Sequence, residues 1–262
     1  MVLFGGGRGS GKTDAGLMRP FRENRYLNPK YRALVIRKNS DDLSDWVSRA
    51  DQIYSHFGAK KTGQLAVFKF PSGAIIKTGH LADKDSYTRY QGHEYQDILI
   101  EELTHVPTRL LFEQLMGSLR STVEGLSPQF FGTANPGGAG HEWVKEYWHI
   151  ADKEHGVKFD DNGTTKIYIP ANIDDNPHLM NADPDYVNYL NSLPDDLKQK
   201  WRNGSWEDFD TPAQFYANYL TRAKQQNRIT TVPIDPSLRT FVSFDLGMRD
   251  KMVLWIAQLH GK

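Results

Sequence analysis

The eight residues Gly6-Gly7-Arg8-Gly9-Ser10-Gly11-Lys12-Thr13 fit the pattern G-x-x-x-x-G-K-[ST] and follow directly on the apolar run Val2-Leu3-Phe4. A glycine-rich turn between a strand and a helix aims successive backbone N–H groups at one point, and the helix N-terminus adds partial positive charge there. The segment therefore reads as a P-loop that cradles a nucleotide from Gly6 to Thr13. Lys12 would reach the β- and γ-phosphates and the Thr13 hydroxyl would ligate Mg²⁺. The helix expected next carries Asp14, Ala15, Leu17 and Met18. The plainer alternative is a glycine-rich loop whose Lys12 is merely solvated.

Strands and helices alternate downstream. Residues 32–37 (RALVIR) predict a short buried strand, and 45–57 a helix with Trp46, Ile53 and Phe57 on one face. The runs 65–70 and 74–78 flank Pro71-Ser72-Gly73, a hairpin signature. Residues 97–100 form another apolar run, and a helix can begin at Pro107, with Leu111, Leu115 and Leu119 recurring before Arg120. Phe130 to Thr133 predicts a strand running into the loop Asn135-Pro136-Gly137-Gly138. This order implies an α/β fold, a P-loop NTPase whose mostly parallel sheet is covered by helices.

From about Pro170 the texture becomes helical. Asp183-Pro184 opens a helix with Tyr186, Val187, Tyr189 and Leu190 on one side, and a second follows Pro194 and stops at Gly204. The expected organisation is an ATPase domain over 1–210 with a small helical lid at about 170–210, then a proline-bearing linker over 211–236. Residues 237–262 read as two strands around Gly247-Met248-Arg249-Asp250, an incomplete first hairpin of a further domain.

Composition narrows the class. The chain has 262 residues, 39% of them hydrophobic, and no apolar run near the length of a membrane span. No basic, apolar leader precedes the glycines. The absence of cysteine rules out disulfides and thiol chemistry and fits a cytoplasmic setting. With 32 basic and 32 acidic side chains, bulk charge points to no nucleic-acid partner; a local basic surface would be needed. Lys198, Lys200 and Arg202, and Arg222, Lys224 and Arg228, are such groups, readable as solvated faces or as DNA contacts. The histidines show no metal-binding spacing.

The chemical constellation follows the loop. The strand Asp97-Ile98-Leu99-Ile100 ends in Glu101-Glu102. An acid there can hold the Mg²⁺ shell, here Glu101, and the next can orient the attacking water, here Glu102. The alternative is a pair of solvated acids. Asn135, after Thr133, can sense the γ-phosphate or simply make an Asx turn before Pro136. Arg8 lies close enough to the phosphates to neutralise transition-state charge. Arg120 could do so for a neighbouring subunit, or be a surface arginine at a helix end.

Together these residues resemble the large terminase subunit of tailed bacteriophages, the motor that packages DNA. The resemblance runs through GGGRGSGKT, Gln91-Gly92-His93-Glu94-Tyr95 with ILIEELTHV, Leu115 to Arg120, TANPGGAGHEWVK, IPANIDDNPHL and NGSWEDF, in that order. It implies ATP and Mg²⁺ as cofactors and ATP hydrolysis coupled to translocation of double-stranded DNA. It also implies a portal protein and a small terminase subunit as partners, and a homo-oligomeric ring on the procapsid in the host cytoplasm, with no membrane. FVSFDLG would open a ribonuclease-H-like nuclease domain, with Asp245 its first metal-binding carboxylate. Glu101 stands where Asp is commoner, and Glu-Glu is an accepted variant. The family's adenine-contacting segment has no counterpart before the loop, and the remaining nuclease acids would lie beyond Lys262, so endonuclease activity is expected only of a longer form. Two other readings fit the residues: another P-loop DNA motor, such as a helicase, or a degenerate nucleotide-binding module used for docking. No N-K-x-D or L-S-G-G-Q string supports a GTPase or transporter ATPase.

Overall fold

The computed structural model describes residues 1–207, 222–223, 226–231, 233–245 and 253–259. The chain divides into two units, Met1–Phe209 and Asp210–Lys262. Most of the linker expected over 211–236, and the Gly247 to Asp250 turn, lie outside the described residues.

The first unit is built on a nine-stranded sheet. Its strands are β1 (Val2–Gly6), β2 (Arg32–Arg37), β3 (Lys60–Thr62), β4 (Val67–Lys69), β5 (Ile75–His80), β6 (Asp97–Ile100), β7 (Gln129–Ala134), β8 (Phe159–Asp161) and β9 (Thr164–Ala171). Their order is β3-β4-β5-β2-β6-β7-β1-β9-β8. The six central strands from β5 to β9 run parallel, and the antiparallel pairs β3–β4, β4–β5 and β8–β9 finish the two edges. The mostly parallel sheet expected from the alternation of elements is present. Helices α1 (Lys12–Leu17), α2 (Ser44–Ser55), α3 (Lys84–Thr88), α4 (Arg109–Met116) and α5 (His141–Tyr147) lie between the strands. After β9 come α6 (Pro177–Ala182), α7 (Pro184–Ser192) and α8 (Asp195–Trp201).

Side-chain alternation explains why the central strands are apolar throughout. Leu34, Ile36, Ile98, Ile100 and Phe130 belong to one buried layer with Phe112 and Leu115 of α4 and Trp143 of α5. Val35, Leu99 and Phe131 belong to the other, with Leu17 of α1 and Trp46, Ala50 and Tyr54 of α2. Successive residues point to opposite faces, and both faces are covered.

Three local expectations are corrected. The buried face of α2 is Trp46, Ala50 and Tyr54, whereas Phe57 lies past the helix end and is exposed. Trp46, Ala50 and Tyr54 recur every four residues on the buried face, and Ile53 packs partly buried beside them, so the expectation fails only at Phe57. Helix α4 begins two residues later than Pro107, at Arg109: Thr108 caps it by accepting from the Leu111 N–H, at 3.3 Å. Leu119 is outside that helix and pairs instead as an isolated bridge with Tyr95. The two edge strands β3 and β8, the interior strand β9 and helix α6 have no counterpart in the sequence pattern.

At the amino end of β6, Asp97 is a buried hub. It accepts from Arg19 at 3.0 Å, Arg25 at 3.2 Å and the Tyr31 hydroxyl at 2.7 Å. The second unit contains β10 (Thr240–Asp245) and β11 (Val253–Gln258), paired antiparallel with Ser243 opposite Trp255. Phe241, Phe244 and Trp255 are exposed. Among the described residues no helix is long and apolar enough to cross a membrane.

Candidate nucleotide-binding site

The site forms where β1, β6 and β7 end, at the carboxyl edge of the parallel strands, which is where α/β sheets bind ligands. Gly6 closes β1 with φ +134°, and a Cβ there would stand 2.2 Å from the Ala171 carbonyl oxygen, so only glycine fits. Gly9 and Gly11 also take positive φ, and α1 starts at Lys12. This is the strand–loop–helix form that a phosphate cradle requires.

The loop is held from outside by the end of β9 and the segment after it. The Gly7 N–H donates to the Ala171 carbonyl at 2.9 Å, and the Arg8 N–H to the Trp201 carbonyl at 2.6 Å. The Arg8 guanidinium lies 3.4 Å from the centre of the Trp201 ring, a cation–π stack. The Asn176 amide donates to the Gly9 carbonyl at 2.7 Å.

Lys12 folds over its own loop, donating to the Gly7 carbonyl and, at 2.9 Å, to the Ser10 hydroxyl. Burial brings its pKa down to about 8, against the pull of Glu101 and Glu102. The Thr13 hydroxyl reaches Glu101 at 3.3 Å. Glu101 is 1% exposed, and burial pushes its pKa up to about 7 despite Arg37 alongside. Its Oε1 is buried with no hydrogen-bond partner. A cation ligated by Thr13 and this carboxylate would satisfy that oxygen and hold the group ionised, so the pair fits Mg²⁺.

Glu102 sits in a left-handed conformation at φ 55°, rare for a residue with a side chain and concentrated at functional sites. Its N–H donates to the Thr133 hydroxyl at 3.0 Å, which locks the turn to β7. A hydrogen bond from His105, whose Nδ1 lies 3.0 Å away, holds the Glu102 carboxylate below the usual range. Arg37, ending β2, bridges both acids, at 3.5 Å from Glu101 and 3.3 Å from Glu102. Asn135 follows β7; its carbonyl accepts from the Thr104 hydroxyl at 2.9 Å and its buried Oδ1 has no partner.

Arg8, Gly9 to Thr13, Glu102 and Asn135 thus line one cleft of about 560 Å³. Arg49, Asn176, His178, Leu179 and Tyr186 line it too, and none of these, nor Arg37, was singled out from sequence for this site. Arg37 had a signal, as a charged residue that ends a buried strand at the same sheet edge. Arg120 stands apart from the cleft: its guanidinium donates to the Gly117 and Gly92 carbonyls. Asp245 ends β10 in the other unit.

Comparison with known proteins bears on the family and the fold. Residues 3–221 match the family model described as terminase large subunit, T4likevirus-type, N-terminal. The chain belongs to the large terminase subunit family. No curated protein sequence matches it. Among solved structures, the large terminase of a thermophilic bacteriophage aligns with a TM-score of 0.60 at 15% identity, over 99% of this chain and 60% of that one. The same phage terminase in complex with ADP gives 0.59 at 16% identity, over 99% and 60%. The large terminase of bacteriophage HK97 gives 0.52 at 12% identity, over 98% and 56%. At these identities the likeness is one of fold. This terminase chain spans about 60% of the length of the solved structures it first matches.

Proposed function

We propose that this chain binds and hydrolyses ATP as the motor domain of a large terminase subunit, driving double-stranded viral DNA into a procapsid. The observation that carries the reading is the Thr13 hydroxyl at 3.3 Å from the buried Glu101, with Lys12 beside them on a glycine-rich loop. An ADP complex of the similarly folded thermophilic phage terminase supports it. Glycines 6, 7, 9 and 11 let the backbone close around the phosphates, and Ser10 and Lys12 contact them. Thr13 and Glu101 would hold Mg²⁺, which would supply positive charge against that of the phosphates. Glu102, ionised and fixed by its strained turn, orients the attacking water. Arg8 neutralises charge that develops in the transition state, and Asn135 senses the γ-phosphate. Arg120, turned away from its own cleft, serves a neighbouring copy in a ring. The portal protein and the small terminase subunit are the partners, at the procapsid in the host cytoplasm. Asp245 serves as a nuclease metal ligand in a longer form.

The test compares two variants. Lys12→Ala is expected to abolish hydrolysis and weaken nucleotide binding, because the cation pinned to the phosphates is lost. Glu102→Gln is expected to bind as the native chain does and to hydrolyse at least ~100-fold more slowly. Native-rate hydrolysis by Glu102→Gln overturns the assignment of the second acid. Absence of any turnover by the native chain favours the docking module, and duplex unwinding favours a helicase.

A further inference from the structure

The phosphate end of the cleft accounts for only part of its 560 Å³, a size typical of sites that enclose a whole small ligand. The lining side chains divide by chemistry. Those from the glycine-rich loop, α1, α2 and the turns after β6 and β7 are charged or polar: Arg8, Lys12, Asp14, Arg49, Glu102 and Asn135. Among the described lining residues, the aliphatic and aromatic side chains, Leu179 and Tyr186, come from the two helices after β9, with His178 next to them.

That wall is fixed to the loop. Asn176 caps α6 by accepting from the Leu179 N–H at 3.3 Å and donates to the Gly9 carbonyl at 2.7 Å. Both ends of its amide are therefore engaged. A Cβ on Gly9 would meet Leu179 Cδ2 at 3.0 Å, so the leucine lies against the loop backbone. Tyr186, held on α7 by the Asp183 cap, is stacked on Tyr189 with ring centres 6.1 Å apart and planes at 29°.

The geometry points to Tyr186 and Leu179 as the base subsite of the cleft, a stacking platform for the heteroaromatic ring of a nucleoside triphosphate. The inference rests on the nucleotide reading above, because Glu101 and Glu102 after β6 and Asn135 after β7 mark the γ-phosphate end and the base must occupy another part of the cleft. A flat ring gains from stacking on an aromatic face whatever its edge pattern, and the engaged Asn176 amide leaves shape and stacking as the main means of recognition. The subsite therefore takes adenine and guanine nucleotides with little preference. It also makes base binding a property of the helical segment, so that nucleotide occupancy holds α6 and α7 against the loop.

Calorimetric titration of the full chain with Mg·ATP, Mg·GTP and Mg·tripolyphosphate tests this, in the native protein, Tyr186→Ala and Tyr186→Phe. Loss of a stacked base is expected to weaken ATP and GTP alike by about 5- to 150-fold in Tyr186→Ala. Tripolyphosphate, which has no base, is expected to bind both equally, and Tyr186→Phe to keep native ATP affinity. Unchanged ATP binding by Tyr186→Ala overturns the base subsite and leaves the phosphate site standing. An equal loss for tripolyphosphate also overturns it, since the tyrosine then acts through the fold of the helices. Failure of the native chain to bind either ATP or tripolyphosphate overturns the nucleotide reading and the subsite with it.

Discussion

Glu101 gives the sharpest test of the site, because its carboxyl is poorly matched to its surroundings unless a cation is present. Burial raises its pKa from 4.5 to about 7. Between those values the folded chain holds a proton that the unfolded chain has released, so stability falls as pH rises through that window. The contribution is complete below about pH 4.5 and gone above about pH 7. At ~1.4 kcal/mol for each pH unit, the loss across the window is about 3 kcal/mol.

Glu101→Gln keeps the shape and cannot ionise. Arg37 is not stranded by the change, since Glu102 remains 3.3 Å from it. With chelator present, the variant and the native chain are expected to match near pH 4.5. At pH 8 the variant should be more stable by up to about 3 kcal/mol, or roughly 6–12 °C in Tm for a unit of this size. The quantity to follow is the difference between the two melting curves from pH 4.5 to 8, which cancels the histidines common to both. A difference that stays flat would refute the burial argument. Metal supplies the converse: about one pH unit below its pKa roughly nine-tenths of Glu101 is protonated, so Mg²⁺-dependent nucleotide affinity should fall about tenfold there. The variant should lose that pH dependence.

Two substitutions probe the frame around the site. Gly204 has φ +66°, and an added Cβ would stand 2.4 Å from the Gly7 nitrogen and 2.7 Å from the Gly6 Cα. Gly204→Ala should cost about 2 kcal/mol or more in urea unfolding and weaken nucleotide binding. Gly92→Ala, at φ +81° with nothing within 4 Å, should cost only about 1 kcal/mol, and equal losses would refute the steric account. Asp97→Ala should destabilise by about 3–5 kcal/mol, because Arg25, 1% exposed, and Arg19 would lose their shared buried counter-charge. A loss under ~1 kcal/mol in urea unfolding would show that water replaces it.

What the sequence made legible is what local pattern controls. The strands β1, β2, β6 and β7 are apolar runs bounded by glycine, charge or turn residues, and each falls where that pattern puts it. Strand β9 was hidden because it contains Pro170 and a buried Lys166, which argue against a strand beside the central one. The lysine is tolerated because its ammonium lies 3.3 Å from the Tyr147 ring centre and pairs with Asp161 at 2.6 Å. Neither contact is visible in sequence order. The same limit applies to the site. Lys12, Thr13, Glu101, Glu102 and Asn135 could be read from motif and strand end, whereas Asn176 reaches Gly9 across 167 positions and Tyr186 looked like one face of a lid helix.

The segment from Trp201 to Trp206 shows why loop and lid form one mechanical object. At one end, Trp201 takes the Arg8 N–H on its carbonyl and the Arg8 guanidinium on its ring. At the other, Trp206 stacks on His141 with ring centres 5.2 Å apart and donates to the Tyr168 hydroxyl at 2.8 Å. His141 in turn accepts from the Gly137 N–H at 2.9 Å, two residues past Asn135. The six residues therefore touch the arm of the loop that carries Arg8 directly and reach the loop that carries Asn135 through His141. A close-packed contact of this kind cannot stretch gradually; its parts move together or it breaks. The composition of the motif follows from the same contact. A Cβ on Gly7 would meet the Arg202 and Trp201 carbonyl oxygens at 2.8 and 3.0 Å, so this glycine is required by the lid that grips the loop, independently of any phosphate the loop holds.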